Sequence, residues 1–267
     1  MPTSLQQVDE GGVTLFRSPL LDSLGFLAHA FSTRRGGVSE GSFASLNLSG
    51  APGEKPGNVR ENRRRFFAAL GLGAERAVGL RQAHGRALFR LDGGPPPAGT
   101  RGDGLMASTR GPILTVQTAD CPAVLLAAPA SRAVVLLHAG WRGTGAGIVG
   151  SALRALEEAY GAPPRSVFAA LGPSIRACCY EVGEEVLPHF RRMHPGLDGL
   201  VRRVPGVEGK YLLDLVEANR QQLLAAGVPP AHIDADPPCT CCRPELFYSY
   251  RRDGRPCGRL LAAAALR

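Results

Sequence analysis

The sequence predicts one α/β domain with mixed β-sheets flanked by helices, and three observations support that class. Short apolar runs rich in Val and Leu, such as 123–128 and 133–137, have the length and composition of buried strands. Amphipathic stretches of helical period, 148–160 the clearest, fall between such runs. No internal repeat and no linker interrupts the 267 residues, a length that suits one large domain.

Taken in order, 13–16 and 26–31 read as strands. Residues 32–39 form a turn whose paired glycines, Gly36 and Gly37, allow positive φ. The polar stretch up to Ser49 has no periodicity and is expected to be an ordered loop. A helix is predicted from about Gly57 to Leu70, with Val59, Phe66, Phe67 and Leu70 on its apolar face and Arg60, Arg63 and Arg64 mostly off it. Residues 77–82 read as a strand ending at Ala83-His84-Gly85, and 93–97 as a Gly/Pro loop. Beyond the 148–160 helix, 167–171 is a buried strand and 172–175 a turn. Helices are expected over 182–193 and 213–226, the second stopped by Gly227 and Pro229. A short strand at 232–236, a loop at 239–242 and closing strands at 246–251 and 259–265 complete the chain.

Hydrophobic residues at 44% and charged residues at 20% are ordinary for a soluble globular protein. The 34 glycines and 22 prolines imply many turns between short elements. A net charge of +8 favours a partner carrying phosphate or carboxylate. The arginines are scattered, without a basic run or interleaved aromatics, which argues against nucleic acid. The N-terminal stretch has no basic segment followed by an apolar run, and nothing approaches the roughly 20 apolar residues of a membrane span. A cytoplasmic location with reduced thiols is the expectation for the seven cysteines, an odd number in a chain long enough to fold without staples.

Reactive side chains concentrate in 115–145. Cys121 stands just before the run 123–128, behind Asp120, and His138 directly follows 133–137. If the two runs pair antiparallel, thiol and imidazole meet at one end of a sheet. That pair suits a metal or a nucleophile, because a cation or an imidazolium stabilises a thiolate. The glycine-rich turn 139–145 leads into a helix, and its N–H groups together with Arg142 offer an anion site. His84, at the end of another predicted strand, completes a trio that fits a zinc site with an open fourth position. Taken singly, each of the three is as readily structural. Asp103, flanked by glycines, and Asp120 are candidates to orient these ligands or to do acid–base work, a turn role being the alternative. Arg34, Arg60 and Arg142 are candidates to clamp an anionic substrate, and Asn47, with no capping job, to hydrogen-bond a ligand. The other cysteines, Cys178, Cys179, Cys239, Cys241, Cys242 and Cys257, lack the paired knuckles of a zinc ribbon. They read as core or pocket-lining thiols, with a structural zinc as the alternative. Phosphate-loop, dinucleotide, HExxH and GxSxG motifs are absent.

Many of these residues sit in motifs that together resemble a known family. TRRGGVS at 33–39 with SLNL at 45–48, QAHG at 82–85, TADCP at 118–122 and HAGWRG at 138–143 come first. GPSI at 172–175, CCYEVG at 178–183, CT at 239–240 and SYRRDG at 249–254 follow. In this order, over about residues 25–259, they resemble the bacterial YfiH/YlmD family, once labelled polyphenol oxidase or laccase-like. The resemblance implies a single-domain, layered α/β (α+β) fold over 1–267, akin to cysteine-hydrolase-like toxins. It implies zinc held by His84, Cys121 and His138, with Arg34, Asn47 and Arg60 at the same site. It also implies phosphorolysis of adenosine, inosine, guanosine and methylthioadenosine and hydrolytic deamination of adenosine, with nucleoside and phosphate as partners. The thiol-rich segment 239–242 departs from the family's sparser cysteine pattern.

Two mechanisms draw on the same side chains. In a zinc enzyme, hydroxide attacks C6 of adenine, or phosphate attacks C1′ of ribose while Arg34 or Arg60 and the 143–145 amides orient it. In a cysteine hydrolase, which the resemblance also implies for an amide in a cell-wall precursor, Cys121 is a free thiolate activated by His138. Two histidines beside one cysteine favour metal occupancy. Six histidines and no HxH pair do not furnish a multicopper site, so the oxidase label is rejected. Three protein ligands also argue against a closed, purely structural site.

Overall fold

The computed structural model describes residues 5–193, 197 and 199–267. Strands β1 (Gln6–Glu10), β2 (Val13–Arg17) and β3 (Leu27–Ser32) open the chain, with helix α1 (Pro19–Asp22) between the last two. Helix α2 (Pro56–Ala69) precedes β4 (Ala77–Val78), β5 (Leu88–Arg90), β6 (Gly104–Ala107) and β7 (Ile113–Thr118). The central strands β8 (Ala123–Ala128) and β9 (Ala133–His138) lead into α3 (Trp141–Gly145) and α4 (Ile148–Tyr160). Next come β10 (Phe168–Leu171), β11 (Glu181–Gly183), α5 (Pro188–Arg191), β12 (Val201–Arg203) and β13 (Lys210–Leu213). Helix α6 (Leu215–Ala225), β14 (Ile233–Asp234), α7 (Tyr250–Asp253) and β15 (Leu260–Leu266) close it.

Side-chain alternation explains how these elements layer. Two six-stranded mixed sheets run β1-β2-β3-β15-β7-β4 and β14-β10-β8-β9-β6-β5, and a third, β11-β13-β12, is antiparallel. Ala123, Leu125 and Ala127 of β8 and Val134 and Leu136 of β9 share a core with Leu260, Ala262 and Ala264 of β15. The two large sheets therefore pack face to face. The alternate residues Val124, Leu126, Val135 and Leu137 pack with Ile148, Leu153 and Leu156 of α4 and with Val216 and Leu223 of α6. On the far side, Leu261, Ala263 and Ala265 meet Phe66 and Phe67 of α2. The order is helix, sheet, sheet, helix. Strands covered on both faces must be apolar at every position, which is why β8, β9 and β15 read as continuous apolar runs. The mixed α/β class with several sheets flanked by helices is as the sequence predicts.

Three elements differ from expectation, each for a local reason. The helix expected over 182–193 is instead β11, a 3₁₀ turn and the one-turn α5. Pro188 has no N–H and would clash with a preceding turn, so it starts a helix and cannot sit inside one, while Val182 pairs with Tyr211. Of the strand expected over 246–251, 246–249 is a buried loop and 250–251 opens α7, which Ser249 caps by accepting from the Arg252 N–H at 3.2 Å. Leu246, Phe247 and Tyr248 are apolar because they fill the core between the sheets. The strand expected over 77–82 stops at Val78. Beyond it the Gln82 side chain replaces the ladder, donating to Gln117 O and accepting from Gln117 N, both at 2.8 Å.

Candidate metal centre

β8 and β9 pair antiparallel with Ala123 opposite His138, and Ala139 N donates to Pro122 O at 2.9 Å. This register sets Cys121 beside His138 at one end of the sheet. His84 reaches the same point from the loop after β4, where its backbone is left-handed at φ +55°. Ligand atoms of His84, Cys121 and His138 all lie within 4.8 Å of one another, and the two imidazoles meet edge to face at 4.8 Å.

One buried carboxylate organises the trio. Asp103, which immediately precedes β6, accepts from the backbone N–H groups of His84 at 2.9 Å and Gly85 at 2.8 Å, and from Ala83 as well. Its Oδ1 lies 2.9 Å from His138 Nδ1. An ionised carboxylate only accepts, so Nδ1 carries a proton and Nε2 faces the thiol with its lone pair free for a metal. Burial alone would raise the Asp103 carboxyl, but the hydrogen bonds from His138 and from the 83–85 backbone outweigh it and hold the group below the usual carboxylate range. The ligand-orienting role expected of Asp103 has a structural counterpart in these contacts.

The donor set fits zinc. A thiolate and two imidazoles suit a borderline-soft cation with a fourth position left open, and the space between them is kept clear by Gly140. A Cβ there would lie 2.7 Å from His84 Nδ1 and 3.2 Å from Cys121 Sγ. Without metal, thiol and imidazole polarise each other. Burial opposes ionisation of Cys121, but the charge and hydrogen bond of His138, then those of His84, lower it to about 6. Burial likewise opposes charging His138, yet Cys121 and Asp103 raise it to about 9. The Cys121 contribution to stability grows as pH rises from about 6, and the His138 contribution is lost as pH rises toward about 9. The metal-free pair is therefore most favourable between those values. Alkylation of Cys121 in chelator-treated protein, followed by mass spectrometry of its peptide, should stay near its plateau down to about pH 7. It should halve near pH 6, whereas an ordinary thiol of pKa about 8.5 already loses about tenfold per unit there.

The trio floors a cleft of about 530 Å³ whose walls include Arg81, Gln82, Gln117, Tyr250, Arg255 and Arg259. A second hollow of about 560 Å³, bounded by Ser49, Gly50, Ala51 and Pro52, shares Arg255 and Arg259 with it. The structure does not bring the other nominated residues to the lining of the cleft. Arg34 donates to the carbonyls of Ala44 and Pro244 and stacks over Tyr248. Arg60 lies exposed on α2. Arg142 stacks on Trp141 at 4.2 Å, and the helix that was to offer an anion site, α3, is only five residues long. Asn47 is buried and serves the cleft indirectly, its Oδ1 accepting from the Arg259 N–H at 2.9 Å. Asp120 ties a loop to α7, accepting from Thr240 Oγ1 at 2.6 Å and Arg251 N at 2.7 Å. Sequence reasoning missed Arg81, Arg255 and Arg259, and the only signal for the last two was the density of arginines between 251 and 259.

A thiol and two imidazoles at the floor of an arginine-rimmed cleft, carried on a layered α/β fold, form a group that could hold one metal ion. The chain belongs to the family described as multi-copper polyphenol oxidoreductase laccase, whose model matches residues 28–267, and which includes proteins named YlmD and YfiH. It is 37% identical over 270 residues to "Purine nucleoside phosphorylase YlmD" of Geobacillus stearothermophilus, covering 98% of this chain and 97% of that one. "Adenosine deaminase RL5", from an unknown prokaryotic organism, is 37% identical over 242 residues, covering 86% of this chain and 90% of that one. The crystal structure of YlmD from G. stearothermophilus superposes with a TM-score of 0.89 at 36% identity, covering all of both chains. Both relatives are named for activity on purine nucleosides. Among the described residues, no helix is long and apolar enough to cross a membrane.

Proposed function

We propose that this chain is a zinc-dependent purine nucleoside enzyme that phosphorolyses adenosine, inosine, guanosine and methylthioadenosine and deaminates adenosine, working as one unit over 1–267 in the cytoplasm. The observation that carries the reading is the convergence of His84, Cys121 and His138 beneath three arginines. The names of the relatives support the substrate class, and the combined size of the two adjoining hollows suits a nucleoside beside phosphate. A bound zinc supplies Lewis-acid polarisation and acidifies water, to a pKa of about 7 in favourable sites. The protein's own groups do the rest. Arg81, Arg255 and Arg259 hold phosphate by charge-assisted hydrogen bonds and keep one of its oxygens pointed at C1′. The O–C1′ bond forms as C1′–N9 breaks, and the purine leaves with the electron pair and takes up a proton. In deamination, water adds at C6 and ammonia leaves. Asp103 holds the His138 ring in one tautomer throughout.

The old copper label finds no support in the ligands. Of the other described histidines, His29 accepts from Ser18 N, His232 stacks on Phe168 and His189 meets Trp141, so only two converge. A second reading has one observation in its favour: Cys121, His138 and Asp103 also align as thiol, base and orienting carboxylate, the order of a cysteine amidase. Nucleoside assays with and without phosphate on protein of known metal content separate the two. Free base released only with phosphate, by zinc-loaded protein, supports the first. Zinc-loaded protein that leaves every nucleoside intact, with Cys121 open to rapid alkylation in protein purified without metal, would replace it with the second.

Arg259→Ala should raise the KM for phosphate about tenfold or more with little change in kcat, since a lost charged hydrogen bond is worth about 1.5–3 kcal/mol. Initial rates at varied phosphate check this, and an unchanged KM would remove Arg259 from the anion site.

A further inference from the structure

Four of the remaining thiols meet at a second place. Cys178 and Cys179 lie between β10 and β11, Cys239 and Cys242 between β14 and α7, and their sulfurs all fall within 4.8 Å of one another. Cys242 Sγ is 3.5 Å from Cys178 Sγ and 3.3 Å from Cys179 Sγ. Tetrahedral zinc with Zn–S bonds of about 2.3 Å sets its sulfurs about 3.8 Å apart, inside that spread. Burial as small hydrophobes does not explain the convergence, because Cys178 and Cys242 are exposed and Cys179 and Cys239 only half-buried. The two segments are also fastened as a site would be. Thr240 N donates to Ser174 O at 3.1 Å, and Arg252 Nη1 donates to Thr240 O and Cys241 O, both at 3.0 Å.

We propose that Cys178, Cys179, Cys239 and Cys242 bind a second, structural zinc ion in a closed four-thiolate site. Sequence spacing conceals it. Cys239-x-x-Cys242 is a knuckle, but its partner is the adjacent pair Cys178-Cys179 instead of a second knuckle. Cys241 interacts with Cys179 but falls outside the group of four mutually close sulfurs, and Cys257 is in the core between the large sheets. Four protein ligands leave no open position, so this metal clips loops and takes no substrate. The loops it joins are the ones that hold Asp120. Ile175 N donates to Asp120 O at 2.8 Å from one segment and Thr240 to its carboxylate from the other, with Arg251 N of α7 adding a second donor. Asp120 itself has φ +89° and precedes Cys121, so the clip braces the backbone that presents the first site's thiol.

The test counts metal in full-length protein purified from zinc-supplemented culture. The wild type should carry two zinc ions per chain and Cys121→Ser one, matching the two ligand groups. In that variant, cobalt exchanged for the remaining zinc should show the strong near-ultraviolet thiolate-to-metal bands of a sulfur-only site. Adding Cys242→Ser should bring the count to zero, and adding Cys241→Ser should leave it at one. If the Cys242 variant does not fold, thiol counting on Cys121→Ser alone decides: the four sulfurs should resist a thiol reagent until a chelator is added. Cys121→Ser protein with no metal overturns the proposal, whether the four sulfurs then react at once as free thiols or appear in the intact mass as disulfides. The result is independent of whether the first site acts on nucleosides.

Discussion

Cys121→Ser is expected to empty the His84/His138 site and to lower nucleoside turnover by more than about a hundredfold, while the protein stays folded. The substitution exchanges one small side chain for another at a half-buried position just before β8, so packing changes little. The chemistry changes greatly. The thiol is lowered to about 6 by the imidazoles around it and stands ready as a thiolate ligand, whereas a serine hydroxyl stays protonated and binds zinc weakly. Partners that only orient a ligand already cost about 10–100-fold when removed, and a ligand itself must cost at least the upper end of that range. Metal analysis and initial rates read the effect together. An amidase with Cys121 as nucleophile would also lose activity, but its metal content would not fall. Full retention of metal in the variant would sink the ligand assignment.

How far the sequence leads depends on whether a residue's role is written locally. β8, β9 and α4 are legible because each is a continuous pattern bounded by turn residues, and the register that joins Cys121 to His138 follows from two runs with reactive ends. Asp103 is legible as a candidate only because glycines flank it. Its four partners come from 83–85 and 138, and nothing in the local spacing announces them. The rim arginines are further from reach, since Arg81 comes from one loop and Arg255 and Arg259 from another, 174 and 178 residues on. Loops carry such groups without periodicity. The misread helix over 182–193 shows the opposite error: an apolar pattern compatible with helix was present, but Pro188 and the pairing of Val182 with Tyr211 decided the outcome. Segment 246–251 likewise has a strand's composition but forms a loop and the start of α7, because burial between two sheets selects apolar residues whatever the backbone does.

Asp103→Asn should cost about 2–4 kcal/mol of stability and about 10–100-fold in zinc affinity at the first site, despite being nearly isosteric. Both carboxylate oxygens are in use. Oδ1 accepts from His84 N and from His138 Nδ1, and Oδ2 from Gly85 N, with Ala83 N between them. An asparagine keeps one acceptor and turns the other into a donor. If its oxygen stays on the His138 side, its amide opposes the Gly85 and Ala83 N–H groups; flipped, it opposes His84 N and His138. Either way donors that are part-buried or, for His138, buried face a donor, and one of them loses its partner. The lost charge adds to this, because a carboxylate beside the ring is what keeps Nδ1 protonated and Nε2 aimed at Cys121. Thermal unfolding of the metal-free protein reads the first effect, and competition with a chelator of known affinity reads the second. The metal-free variant should also show a Cys121 alkylation midpoint moved upward, because His138 without Asp103 holds its proton less firmly and stabilises the thiolate less. A merely structural aspartate would leave that midpoint where it is. Unchanged zinc affinity in a folded Asp103→Asn protein would mean that His138 is oriented by its strand alone.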